Sequence, residues 1–203
     1  MKRFFQSLIV SLFFITVFQL EAQSIKFVPN NWHFLRAETH VQLIFDYDSM
    51  SVGVYPSERE YTNRKVETYN TVTSGSGDDW LKQWITDRPL YYQPAFVSGL
   101  NAQIMPLAGI VDDSTAAYTL IVKTIYTQPG YYASALFRQR ASINLVFLFV
   151  DSRDHTCVLA TLYAHKIKSG YLPFSKRFDF EHRISSAYAA AGNQLGLYLA
   201  GKL

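Results

Sequence analysis

The stretch that most constrains the fold is Ala141 to Val150, Ala-Ser-Ile-Asn-Leu-Val-Phe-Leu-Phe-Val. It is apolar on both faces of an extended chain and far too short to cross a membrane, which marks a central strand covered on two sides. Asp151-Ser152-Arg153-Asp154-His155 then breaks the run with turn-forming residues, and Thr156 to His165 returns as the second arm of a hairpin. A sheet built around this hairpin is the frame into which the other elements must fit.

Two further strands are legible. His40 to Asp48 sets Val41, Leu43, Phe45 and Tyr47 against His40, Gln42, Asp46 and Asp48, the period-two alternation of a half-buried strand. Ala117 to Thr127 is another, ended by Gln128-Pro129-Gly130. Between them lie helices. Ser57 and Glu60 form a capping box that starts a mostly polar helix running to about Tyr69. Thr73-Ser74-Gly75-Ser76-Gly77 reads as a flexible connector, with Asp78 capping the helix after it. That helix carries Trp80, Leu81, Trp84 and Ile85 on one face and ends before Pro89. From Gln93 to Met105, Phe96, Leu100 and Ile104 recur four apart, with Pro106 beyond. The last helix follows Asp179, with Ile184, Tyr188, Ala191, Leu195 and Leu199 at helical spacing. Its small face, Gly192, Gly196 and Ala200, suits close packing on a sheet. This order predicts a single α+β domain over residues 23–203: a mixed, mostly antiparallel sheet of about four or more strands, helices packed on it, and a long C-terminal helix.

The amino terminus predicts export. Lys2 and Arg3 precede an apolar run from Phe4 to Leu20, and Glu21-Ala22-Gln23-Ser24 then turns polar, the order of a signal peptide over residues 1–22, with cleavage after Ala22 or after Ser24. No later run reaches membrane length, so the mature chain is expected in the periplasm or outside the cell with no stable transmembrane span. Its single Cys157 cannot close an internal disulfide, which leaves the fold to its core. With 49% hydrophobic and 17% charged residues among 203, a core of that kind is available and disorder is excluded. A net charge of +3 from scattered cations gives no nucleic-acid signature.

Catalytic motifs are missing from the sequence. There is no nucleophile elbow, since Ser74-Gly75-Ser76-Gly77 lacks a strand before it, and no phosphate-cradling or dinucleotide glycine motif. His155 and Cys157 share a strand face, but His165 would stand about 33 Å from His155 along a regular strand, so two ligands do not make a zinc site. His155 then reads as a turn residue and Cys157 as a small buried hydrophobe, and neither a cofactor nor a metal is expected. Of the acid pairs, which include Asp112 with Asp113, only Asp46 and Asp48 lie on one strand face. They support an alternative reading as a hydrolase of envelope carbohydrate. A second alternative is a carrier of a small apolar ligand, held between the sheet and the terminal helix. The favoured expectation rests on aromatic residues. Trp80, Trp84, Tyr91, Tyr92, Tyr131 and Tyr132 fall near loops and element ends, where rings with a polar tip suit a protein or glycan partner in the cell envelope.

From Ala116 onward the chain reads Ala-Tyr-Thr-Leu-Ile-Val-Lys, then a strand ending Phe-Val-Asp, then the helix Arg-Ile-Ser-Ser-Ala-Tyr-Ala-Ala-Ala-Gly. This half of the chain resembles the small secreted proteins of unknown function of Bacteroidetes, whose export signals also often end in Ala-Gln. It is similar, more loosely, to envelope domains of the TolB amino-terminal type, in which a mixed sheet carries helices and serves assembly. The resemblance implies an exported, non-enzymatic binding or assembly module and assigns no functional residues.

Overall fold

A computed structural model describes residues 24–27, 32–36, 38, 40–104 and 115–202. The export signal, the Asp112/Asp113 pair and Pro106 lie outside these residues. Strand β1 (Ser24–Phe27) is followed by a short 3₁₀ turn, Trp32–Leu35, and by β2 (Gln42–Asp46) and β3 (Ser51–Val52). Helices α1 (Glu58–Val72), α2 (Ser76–Asp87) and α3 (Gln93–Asn101) come next. Then β4 (Tyr118–Gln128), the two-residue strands β5 (Tyr131–Tyr132) and β6 (Arg138–Gln139), β7 (Ser142–Asp151), β8 (Asp154–Lys168) and α4 (Phe180–Ala200) complete the chain. The main sheet has the order β1-β8-β7-β4-β2, with β3 pairing farther along β4. Its β1–β8, β8–β7 and β7–β4 pairs are antiparallel, and β2 and β3 run parallel to β4. The architecture is the expected α+β domain with a mixed, mostly antiparallel sheet and a long C-terminal helix.

The core lies between one face of this sheet and the helices. Ile143, Leu145, Phe147 and Phe149 of β7 meet Phe96 of α3 and Ile184, Tyr188, Ala191 and Leu195 of α4 in one buried cluster. The expectation that β7 is covered on both faces is corrected. Asn144, Val146 and Leu148 on its other face are only half-buried. There the register aligns Val146 with Lys123 and Tyr163, and Lys123 donates to Asp46 at 2.8 Å. A sheet layered against helices on one side tolerates apolar side chains on the other, because neighbouring strands shield them in part.

Four local features depart from the sequence reading. The connector after α1 is not a loose linker through Gly77. Ser76 and Gly77 already belong to α2, Gly75 is the left-handed cap (φ 84°), and Ser76 Oγ donates to the Tyr69 and Thr73 carbonyls. A Cβ on Gly77 would meet the Val66 carbonyl oxygen at 2.3 Å, so glycine lets the two helices touch. After Asp87 the chain stays helical: one π turn, Arg88–Tyr92, joins α2 to α3 and takes Pro89 in its first positions. The β7–β8 turn is tighter than expected, so His155 lies in the strand, and Cys157 is exposed because this end of β8 projects from the core. The small face of α4 packs on α3, not on the sheet. A Cβ on Gly192 would meet the Phe96 carbonyl oxygen at 2.1 Å, and one on Gly99 the Ala189 carbonyl oxygen at 2.2 Å.

Candidate functional site

The site is built where the sheet runs out at one end. β4 turns sharply at Pro129-Gly130, where Gly130 has φ 65° and a Cβ would meet the Gln139 carbonyl oxygen at 2.4 Å, so only glycine fits. The chain then forms the β5–β6 hairpin, closed at its tip by bonds from the Ala133 and Ser134 amides to the Phe137 carbonyl, and returns into β7. Opposite, the chain leaving β8 is tied down by Ser169 N–H on the Ala141 carbonyl and by Gly170 N–H on Ser186 Oγ, both at 2.8 Å. It continues through a 3₁₀ turn, Phe174–Lys176, to Arg177.

Between the hairpin and this segment lies a basin of about 230 Å³ lined by Arg138, Arg140, Arg177 and Arg183, by Tyr131, Tyr132 and Tyr171, and by Gln139, Ser169, Gly170 and Leu172. A shallower depression of about 650 Å³ adjoins it across Arg138-Gln139-Arg140 and adds Lys166 and Lys168, with Tyr126, Gln128, Ser142 and Asn144. Six cationic side chains therefore face these two spaces, and among the described residues no carboxylate, histidine or cysteine lines either.

The cations are held by specific devices. Arg183, 8% exposed, donates from Nε to the Pro129 carbonyl and from Nη2 to the Gly130 carbonyl, both at 3.2 Å. Its Nη1 donates to the carbonyls of Arg177 and Phe178, both at 2.7 Å. Burial pulls its pKa down from the ordinary arginine value, opposed by Glu181 and Asp179. A guanidinium stays protonated in proteins all the same, so a positive charge bonded to neutral carbonyls stands behind the basin. Arg177 donates from Nε to the Leu172 carbonyl at 2.7 Å. Its guanidinium lies 4.5 Å from the Tyr171 ring centre, 5.6 Å from Tyr132 and 6.0 Å from Phe174. Hydrogen bonding to Tyr132, then to Tyr171, raises its pKa. Lys166 owes its direction to a β-bulge. Ile143 pairs with Ile167 but Leu145 with Ala164, so β8 carries one extra residue, and Lys166 takes it up at φ 50° with its N–H bonded to Asn144 Oδ1 at 2.7 Å. Without the bulge, Lys166 would follow the inward set with Ala164.

Of the six aromatic residues singled out in the sequence, Tyr131 and Tyr132 line the basin. The other four lie together elsewhere, around α2, the π turn and the start of α4. Trp84 and Tyr92 are corrected to core residues, 2% and 3% exposed: Trp84 donates Nε1–H to the Glu58 carboxylate and Tyr92 stacks on Tyr188. Trp80 packs between Tyr61, Tyr69 and Trp84, and Tyr91 sits edge-on to His182. The arginines and lysines were missed because they come from four separate segments. Arg138-Gln139-Arg140, close after the Tyr131-Tyr132 pair, was the one local signal available.

The alternative readings fare worse. Asp46 is engaged by the Lys123 ammonium and by the Asp48 amide at 2.7 Å, and neither acid lines the basin. The space between sheet, α3 and α4, lined by Leu43, Leu100, Phe149 and Leu199 among others, measures about 20 Å³. That is room for little more than a water. Ligand atoms of Asp179, Glu181 and His182 lie within 4.8 Å of one another where α4 begins, a place where carboxylates complement the helix dipole.

No protein-family model and no curated protein matches the chain. Among solved structures, the PelC dodecamer from Paraburkholderia phytofirmans is similar at 10% identity and a TM-score of 0.40, over 85% of this chain and 96% of that one. A DUF330 protein from Xanthomonas campestris is similar at 12% identity and a TM-score of 0.34, over 89% of this chain and 94% of that one. At such scores the likeness bears on neither function nor ligand.

Proposed function

We propose that this is an exported, non-enzymatic binding module whose arginine- and tyrosine-lined basin takes an anionic group from a component of the cell envelope. The observation that carries the reading is the lining itself: four arginines and three tyrosines around about 230 Å³ with no carboxylate among them. Arginine binds carboxylates and phosphates through a planar fork of donors, and tyrosine rings add apolar contact with a polar tip. The lining lacks the carboxylate, imidazole or thiol that general acid–base or nucleophilic chemistry at neutral pH most often uses, so the basin is equipped to hold a ligand. Localisation in the periplasm or outside the cell rests on the amino-terminal signal; no helix among the described residues is long and apolar enough to cross a membrane.

Calorimetric titration with glycerophosphate and glucuronate, against glycerol and glucose as uncharged controls, tests the reading. The anions are expected to bind, more weakly as salt rises, and Arg177→Ala is expected to weaken them roughly tenfold, the scale of one charge-assisted bond. Equal responses to charged and uncharged probes, or an unaffected Arg177→Ala protein, would contradict it.

A further inference from the structure

The same end of the molecule carries apolar side chains that the anion reading leaves unused. Leu136 is 90% exposed and Phe137 68% exposed at the tip of the β5–β6 hairpin, and Phe174 and Phe178 are 65% and 50% exposed beside Arg177. Phe137, Phe174 and Phe178 belong to a residue type that usually sits inside. Phe174 and Phe178 lie 5.4 Å apart ring to ring, and Tyr132 at the base of the hairpin stands 5.2 Å from Phe178. Tyr171, 83% exposed, completes the rim.

We infer, building on the anion reading above, that this end docks on a bilayer containing anionic phospholipid, with the Leu136-Phe137 tip entering the interface and the basin arginines meeting lipid phosphates. Charge complementarity singles out this occupant. A cationic floor without carboxylates fits a uniformly anionic plane, and exposed phenylalanine and leucine on a protruding two-strand hairpin fit an acyl boundary. Tyrosine and arginine, each apolar along its length and polar at its end, suit the headgroup level between them. An acidic glycan would use the arginines and tyrosines but would leave the hairpin tip without a role.

The test is co-sedimentation of the chain from Gln23 onward, which holds every described element and omits the apolar leader, with vesicles of phosphatidylglycerol mixed into phosphatidylcholine. Binding is expected to the mixed vesicles and not to phosphatidylcholine alone. The double substitution Leu136→Ser and Phe137→Ser, at exposed positions, is expected to weaken it roughly tenfold or more while glycerophosphate affinity stays unchanged. Phe174→Ser, on the opposite wall, should act the same way to a smaller extent. Vesicle binding equal in the wild type and the tip variant would overturn the proposal. So would failure to bind mixed vesicles by protein that binds glycerophosphate, a result that leaves the anion basin standing, or capture by polygalacturonate without vesicle binding, which would give the basin to an acidic glycan. Loss of both glycerophosphate and vesicle binding would overturn this proposal and the anion reading together.

Discussion

At the scale of single residues, Arg183 ties the site together. Four of its five N–H donors engage carbonyls from the β4–β5 turn and from the segment before α4, so one side chain fixes both walls of the basin. Arg183→Met would leave those carbonyls without their donor. Bonds to a charged donor are worth about 1.5–3 kcal/mol each and are not additive, so a loss of about 3 kcal/mol in urea denaturation is expected. Arg183→Lys should recover little, because an ammonium cannot reproduce the planar fork; a loss below about 1 kcal/mol in the methionine variant would contradict the assigned role.

Asp87 carries the opposite sign. It is 2% exposed, its Oδ2 has no hydrogen-bond partner among the described residues, and burial, then Glu181, pushes its pKa up to about 6. Its unfolded value is about 3.9, so between about pH 4 and pH 6 the folded state holds a proton that the unfolded state has released. Stability from this group therefore falls as pH rises through that window. Asp87→Asn should melt higher than the wild type at neutral pH and show a flatter slope over the window. A lower melting temperature at neutral pH with an unchanged slope would show that the carboxylate is satisfied in the fold.

At the scale of elements, glycine decides how α3 meets α4. Elsewhere in a helix, Gly→Ala gains about 0.5–1 kcal/mol from reduced chain entropy. At Gly192 the added methyl would stand 2.1 Å from the Phe96 carbonyl oxygen, and backbone cannot move aside as a side chain can. Gly192→Ala is expected to lose roughly 2–3 kcal/mol, the range of overpacked cores, in guanidinium denaturation. Any gain would mean that the helices are not in close contact. The small face of α4 was visible in the sequence, but its partner was not, because spacing reveals which residues are small and not which backbone approaches them. β8 is a related case. Period two predicts its end at His165, yet the extra residue at Lys166 lets Ala164 and Ile167 both point inward and carries the strand on to Lys168. Alternation identifies a strand until a bulge breaks the alternation. Likewise Tyr131-Tyr132 and Arg138-Gln139 are too short to show any period, which kept the hairpin out of view.

At the scale of the whole molecule, the sequence showed the α+β class because its long apolar strands and final helix have strong periods. The site stayed hidden because charge was judged along the chain. A net +3 spread over 203 residues looks unremarkable, yet the fold brings cations from β6, the end of β8, the 3₁₀ turn and α4 to one end. Local field, not net charge, determines what approaches that end, and its effect on exposed groups fades within a Debye length, about 8 Å at physiological salt. An anion held at this end must perturb the backbone that lines it. Titrating the ¹⁵N-labelled chain with glycerophosphate, and following amide shifts by NMR, tests it most directly. Shifts are expected within residues 126–144 and 166–183, abolished by Arg177→Ala combined with Arg140→Ala. Shifts centred on α1 and α2, or no shifts at all, would contradict it.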